Sequence, residues 1–109
     1  MQDFLITLQE NIETVKNVGD KIESGDSYIE DVKEYLPLLN QTIMDILKMN
    51  QQPQAGLDIN QDFILQVLHD IIYGMENEDS VFLLDVLRYG LLQIYLYVEA
   101  ELIGDECYE

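Results

Sequence analysis

Between Val81 and Val98 the chain reads VFLLDVLRYGLLQIYLYV, with only Asp85, Arg88 and Gln93 plainly polar. Val81, Leu84, Leu87, Leu91, Ile94 and Val98 follow the alternating three-and-four spacing of a helical packing seam. Phe82, Val86, Tyr89 and Leu96 form a second apolar row, interrupted by Gln93. The polar strip Asp85–Arg88–Tyr95–Glu99 is narrow. A helix at the edge of a small bundle needs one apolar stripe. Two rows predict either a central position or a second surface offered to a partner. The stretch reaches the lower length limit of a membrane span. Against a span, Asp85 and Arg88 would each cost about 2.5–3.5 kcal/mol on insertion scales. The flanks are acidic as well (Glu76, Glu78 and Asp79 before, Glu99 and Glu101 after). The expectation is a buried helix of a soluble bundle, with no membrane partner.

Three further periodic segments precede it. In residues 2–24, Leu5, Leu8, Ile12, Val15, Gly19 and Ile22 make an apolar face opposite Glu10, Glu13, Lys16, Asp20 and Glu23. Gly19 sits on that seam, where glycine costs about 1 kcal/mol against alanine; it marks either a close approach or a weak point. Ser24-Gly25-Asp26-Ser27 reads as a turn, with Gly25 ending one helix and Ser27 with Glu30 forming a capping box for the next. Residues 28–50 carry a seam of Val32, Leu36, Leu39, Ile43 and Ile46. Pro37 lies inside it, where a proline costs about 3 kcal/mol in a regular helix, so a kink or short break is expected near Tyr35-Leu36. QQPQAGLDI, residues 51–59, is the longest connection, with Pro53 and Gly56 as breakers. Asn60 or Asp58 then caps a helix over residues 61–75 whose Phe63, Ile64, Val67, Leu68, Ile71, Ile72 and Met75 give a wide apolar face. Gly74 and the acidic run from Glu76 to Asp79 turn the chain into the last helix.

These segments predict an all-α fold: an antiparallel four-helix bundle, its second helix kinked near Pro37. One domain is expected over residues 1–103, followed by an acidic flexible tail over 104–109.

Charge changes this picture most. The 109 residues carry 22 acids against five bases, a net charge of −17. Residues 1–48 hold ten acids and four lysines; residues 49–109 hold twelve acids and a single base, Arg88. Nucleic acid and anionic membrane surfaces would be repelled, and a basic protein or peptide attracted. The plainer reading is a solvated coat that keeps an apolar bundle soluble. A lone cysteine, Cys107, excludes an internal disulfide and suits a reducing compartment. The N-terminal MQDFLITLQEN lacks the pattern of a secretory signal. A cytoplasmic protein is expected.

Catalytic chemistry lacks its parts. A di-iron bundle needs Glu-x-x-His on two helices, whereas His69 is the single histidine and is preceded three residues back by Gln66. Asp58-x-Asn60-x-Asp62 resembles the start of a calcium loop, but Phe63 stands where the turn needs glycine and His69 where a bidentate glutamate is needed. Acids beside Cys107 would raise its thiol pKa and blunt it. No phosphate loop, HExxH or paired CxxC occurs. No enzyme, cofactor or metal is expected. Seven tyrosines remain, three of them on the last helix, and tyrosine suits interfaces.

The sequence therefore points to a non-enzymatic interaction module, an adaptor or small chaperone-like bundle. Its expected partner-binding residues are Phe82, Val86, Tyr89, Gln93, Leu96 and Tyr97, used for homodimerisation or for an amphipathic helix. The alternative is an acidic decoy, or anti-regulator, of a basic nucleic-acid-binding protein.

Overall fold

The computed structural model describes residues 2–52 and 56–107, and every regular element among them is helical. Helix α1 spans Gln2–Ser24, α2 Ile29–Asn50 and α3 Gln61–Glu76. The fourth helix is composite: α4 (Ser80–Val86), a π-helical turn (Leu87–Leu91) and α5 (Leu92–Cys107). The described residues are thus all-α, with four helices. Pro53 and residues 108–109 of the expected tail lie outside the described residues. The fourth helix itself continues to Cys107, past the boundary expected at 103.

Local chemistry explains the helix ends. Gly25 takes φ +80°, and the N–H groups of Gly25 and Asp26 bond back to Ile22 O and Lys21 O, the double closure of a Schellman ending. The capping box expected at Ser27 is not formed. Helix α2 begins one residue later, with Tyr28 at the N-cap and no side-chain cap bond. It then runs through Pro37 as one assigned helix. Asn60 does cap α3, its Oδ1 accepting from the N–H groups of Asp62 and Phe63. The turn after α3 belongs to Glu78, at φ +50°, and not to Gly74. Asp79 N–H closes that turn on Gly74 O, and Asp79 Oδ1 caps α4 through Phe82 N–H at 3.1 Å. Gly74 has a different task. A Cβ there would lie 3.2 Å from Leu83 Cβ and 3.4 Å from Leu83 Cα, so its absence lets α3 and α4 lie backbone to backbone.

One continuous core joins all four helices. Leu8, Ile12 and Val15 meet Val32, Leu39, Ile43 and Ile46, Ile64, Val67 and Ile71, and Leu83, Leu87, Leu91, Ile94 and Val98. The fourth helix packs on both α1 and α3, while α2 packs on α1 and less closely on α3. On the α1 side, the buried Gly19 faces Leu84 and Arg88 across the contact.

The π turn alters the face that the sequence pattern assigns. The Leu92 N–H is drawn to Leu87 O, and Gln93 Nε2 donates to the Arg88 carbonyl at 3.3 Å. That carbonyl would otherwise accept from the Leu92 N–H. After the turn the expected seam holds, with Leu91, Ile94 and Val98 buried. Before it the phase is different: Leu83 is fully buried, Leu84 half-buried, and Val81 is 72% exposed. Tyr95, expected on the polar strip, lies in the core at 0% exposure, beside the buried Ile94 and Val98.

Tyr95 brings a polar knot into that core. Its hydroxyl lies 2.9 Å from the Tyr35 hydroxyl and 3.3 Å from Asn11 Oδ1. Tyr35 donates to the same Asn11 oxygen at 2.5 Å. Asn11 Nδ2 in turn donates to Thr42 Oγ1 and to Thr7 O. Three helices are tied at one level, and among the described residues no buried side-chain polar atom lacks a partner. Burial pushes both tyrosine pKa values above the ordinary phenol value, Tyr95 further because of Tyr35 beside it. Such groups keep their protons in the folded state while the unfolded chain releases them from about pH 10. The stability they contribute is complete below that pH and declines as pH rises through the folded values. The free energy of unfolding, read from urea titrations, is accordingly expected to fall above pH 10, by up to about 1.4 kcal/mol per pH unit for each tyrosine. Tyr95→Phe should flatten that slope.

Candidate partner-binding face

The six residues singled out on the last helix do not share one environment. Phe82 is half-buried and meets the edge of Tyr73 on α3, ring centroids 5.7 Å apart at 81°. Val86 and Leu96 are half-buried against the core. Tyr97 is half-buried, and its hydroxyl accepts from the Asp58 N–H at 3.1 Å, holding the connection into α3. Gln93 is exposed and serves the π turn. Tyr89, inside that turn, is 72% exposed. The wider loop of backbone carries it outward while Gly90, next in sequence, is buried against Val67.

Phe82 of the second apolar row therefore faces α3, as do several residues beside that row. Phe82 meets Tyr73, Gly90 meets Val67, and Gln93, Ile94 and Tyr97 share a cleft of about 220 Å³ with Asp58, Ile59, Asn60 and Phe63. What stays open is the outer edge of this seam. Phe63 and Tyr73 on α3 are 45% and 51% exposed, and Tyr89 on the fourth helix is 72% exposed. Sequence periodicity counted Phe63 toward the core of α3 and gave Tyr73 no place. The only signal was the excess width of the apolar face of that helix.

Electrostatics separates this face from the rest of the surface. All four lysines stand on α1 or α2 (Lys16, Lys21, Lys33 and Lys48). Lys21 pairs with Asp31 across the mouth of a second cleft, of about 600 Å³, between α1 and α2. Arg88 turns toward α1, reaching Glu23 with both terminal nitrogens at 3.2 and 3.1 Å and Asp20 at 3.6 Å. Its hydrogen bonds hold the Glu23 carboxyl below the usual carboxylate range, and Glu23 raises Arg88 in return. Asp58 lines the cleft beside α3, α3 itself carries Asp62 and Asp70 and no lysine or arginine, and Asp85 stands on the fourth helix. His69 is exposed, with Asp70 3.6 Å away. Among the described residues no three His, Cys, Asp or Glu side chains converge as metal ligands would.

By length and composition Ser80–Ile103 is long and apolar enough to cross a membrane, and 39% of its most apolar stretch is buried by the other helices. Comparison of the chain with known protein families, curated proteins and solved structures finds no match.

Proposed function

We propose that the protein is a non-enzymatic interaction module, an adaptor or small chaperone-like bundle that offers the outer edge of its fourth helix to a partner. The observation that carries this reading is the exposure of Tyr89, Tyr73 and Phe63 beside the half-buried Phe82 and Tyr97. Large aromatic side chains left open around a preformed cleft are the composition of an interface centre. The partner-binding set is Phe82, Val86, Tyr89, Gln93, Leu96 and Tyr97, with a second copy or an amphipathic helix as occupant.

The frame adopted for this reading is an antiparallel up-and-down bundle in the cytoplasm, α2 bent at Pro37 where one backbone donor is missing. Two junctions support the arrangement. Asn50, ending α2, exchanges hydrogen bonds with Ile59 just before α3. At the opposite ends, Ile29 and Lys33 border Met75 and Glu76.

Tyr89 is exposed, so Tyr89→Asp should fold as the parent does. It should also weaken partner binding or dimerisation by about 30-fold, the effect of losing an aromatic hot spot. Light-scattering mass and affinity capture read this directly. Unchanged mass together with unchanged retention of every partner would end the assignment.

The net charge of −17 favours a second reading, an acidic decoy or anti-regulator of a basic nucleic-acid-binding protein. A complex of that kind weakens steeply with salt, and one that survives high salt argues for the apolar face instead.

A further inference from the structure

We infer that the occupant of this face is a cationic amphipathic helix from another protein and not a second copy of this chain. The inference rests on the interaction-module reading and names its partner class.

Charge complementarity decides between the occupants. Asp58 lines the cleft, and the two helices that form the seam carry Asp62, Asp70 and Asp85. The only base after residue 48 is engaged with Glu23 and Asp20 on α1. Two copies meeting through this face would set carboxylates against carboxylates, the like-charge juxtaposition that excludes wrong partners. A helix with an apolar stripe and lysine or arginine on both borders meets the opposite condition on every side.

Shape agrees. From Phe82 to Tyr97 the fourth helix extends about 22 Å, the length of four helical turns in an occupant lying alongside. At one end the cleft of about 220 Å³ between Phe63 and Tyr97 takes a single apolar anchor. Tyr89 and the Tyr73–Phe82 pair supply contact area along the rest. This is the helix-in-groove mode, read by anchors one turn apart.

The test uses the full chain and two labelled 18-residue peptides of identical amphipathic pattern, one of leucine and lysine, the other of leucine and glutamate. Fluorescence anisotropy is measured at 0.05 and 0.3 M NaCl. The lysine peptide should bind and the glutamate peptide should not. Added salt should weaken binding at least tenfold while leaving it measurable. At the higher salt, Phe63→Ser combined with Tyr89→Ser should cost at least a further tenfold. Met44→Ser, at an exposed position on α2, should change affinity less than twofold. All of these positions are exposed, and circular dichroism checks that each variant folds.

Equal losses in both variants, or none in the double variant, would show attraction by bulk charge alone and overturn the inference. A dimer dissociated by Tyr89→Ser, with no binding of the lysine peptide, would overturn it and leave the interaction-module reading standing. A monomer that binds neither peptide and no lysate protein would remove both.

Discussion

Tyr95→Ala is expected to lower the free energy of unfolding by about 4 kcal/mol, the range found when a large buried aromatic is cut to a methyl group. The side chain is fully buried and stands among Leu8, Ile12, Leu39 and their neighbours in the shared core. Truncation opens a cavity and also leaves the Tyr35 hydroxyl with Asn11 as its one remaining bond partner. Tyr95→Phe keeps the ring and removes only the hydroxyl, so its cost should be about 1 kcal/mol. Urea denaturation of the three proteins at pH 7 compares them. Equal losses for alanine and phenylalanine would place the weight on the hydrogen bonds and not on the packing of the ring.

Asn11→Leu is the second large effect, at about 3 kcal/mol. Leucine shares the branched skeleton of asparagine but is bulkier, and the site is enclosed, so overpacking contributes to the loss. The rest of the cost lies in what the substitution strands. Asn11 Oδ1 accepts from both tyrosines, and Nδ2 donates to Thr42. Each buried hydroxyl deprived of a partner costs about 1–3 kcal/mol. The triple variant Asn11→Leu, Tyr35→Phe, Tyr95→Phe removes both phenol hydroxyls together with the amide that held them and should recover part of the loss. Denaturant midpoints of the single and triple variants show this; a triple variant weaker than the single one would contradict it.

The contrast between these two residues shows where the sequence was readable. Four helices, their approximate limits, and the core positions of α1 and α2 follow from periodicity and breakers, because burial on one face imposes the period. The knot was not legible. Asn11 reads as one polar residue among many on an acidic helix, and nothing in its neighbours points to Thr42, Tyr35 or Tyr95, which lie 24 to 84 residues away. Tyr95 was grouped with Asp85, Arg88 and Glu99 on the polar strip, whereas it stands beside Ile94 and Val98 in the core. A π turn has no reliable residue code, and one extra residue rotates everything upstream relative to everything downstream.

The candidate face was half visible for a related reason. The second apolar row on the last helix was plain in VFLLDVLRYGLLQIYLYV, and Tyr89 is exposed. That Phe82 is turned onto α3 goes with Gly74 and Gly90, where the missing side chains let α3 come close to Leu83 and let Val67 pack on the fourth helix. Glycine in a helix signals either weakness or contact, and sequence alone does not say which. Phe63 and Tyr73 entered the face from the far side of that contact, so no pattern within the last helix could announce them.

The π turn carries one more consequence. Leu83, Leu87, Leu91, Ile94 and Val98 all face the core with the wider turn included. Deleting a residue between Leu87 and Leu91 would give the spacing four, three, three, four, which an ordinary α-helix satisfies unaided. The helix thus holds one residue more than its core requires, and the surplus is displayed on the outside as Tyr89. In most buried helices a change of length by one scrambles every contact beyond it. Here the chain has a site where length can change by one while the interior keeps its register, and the aromatic face gains or loses its most prominent side chain in a single step.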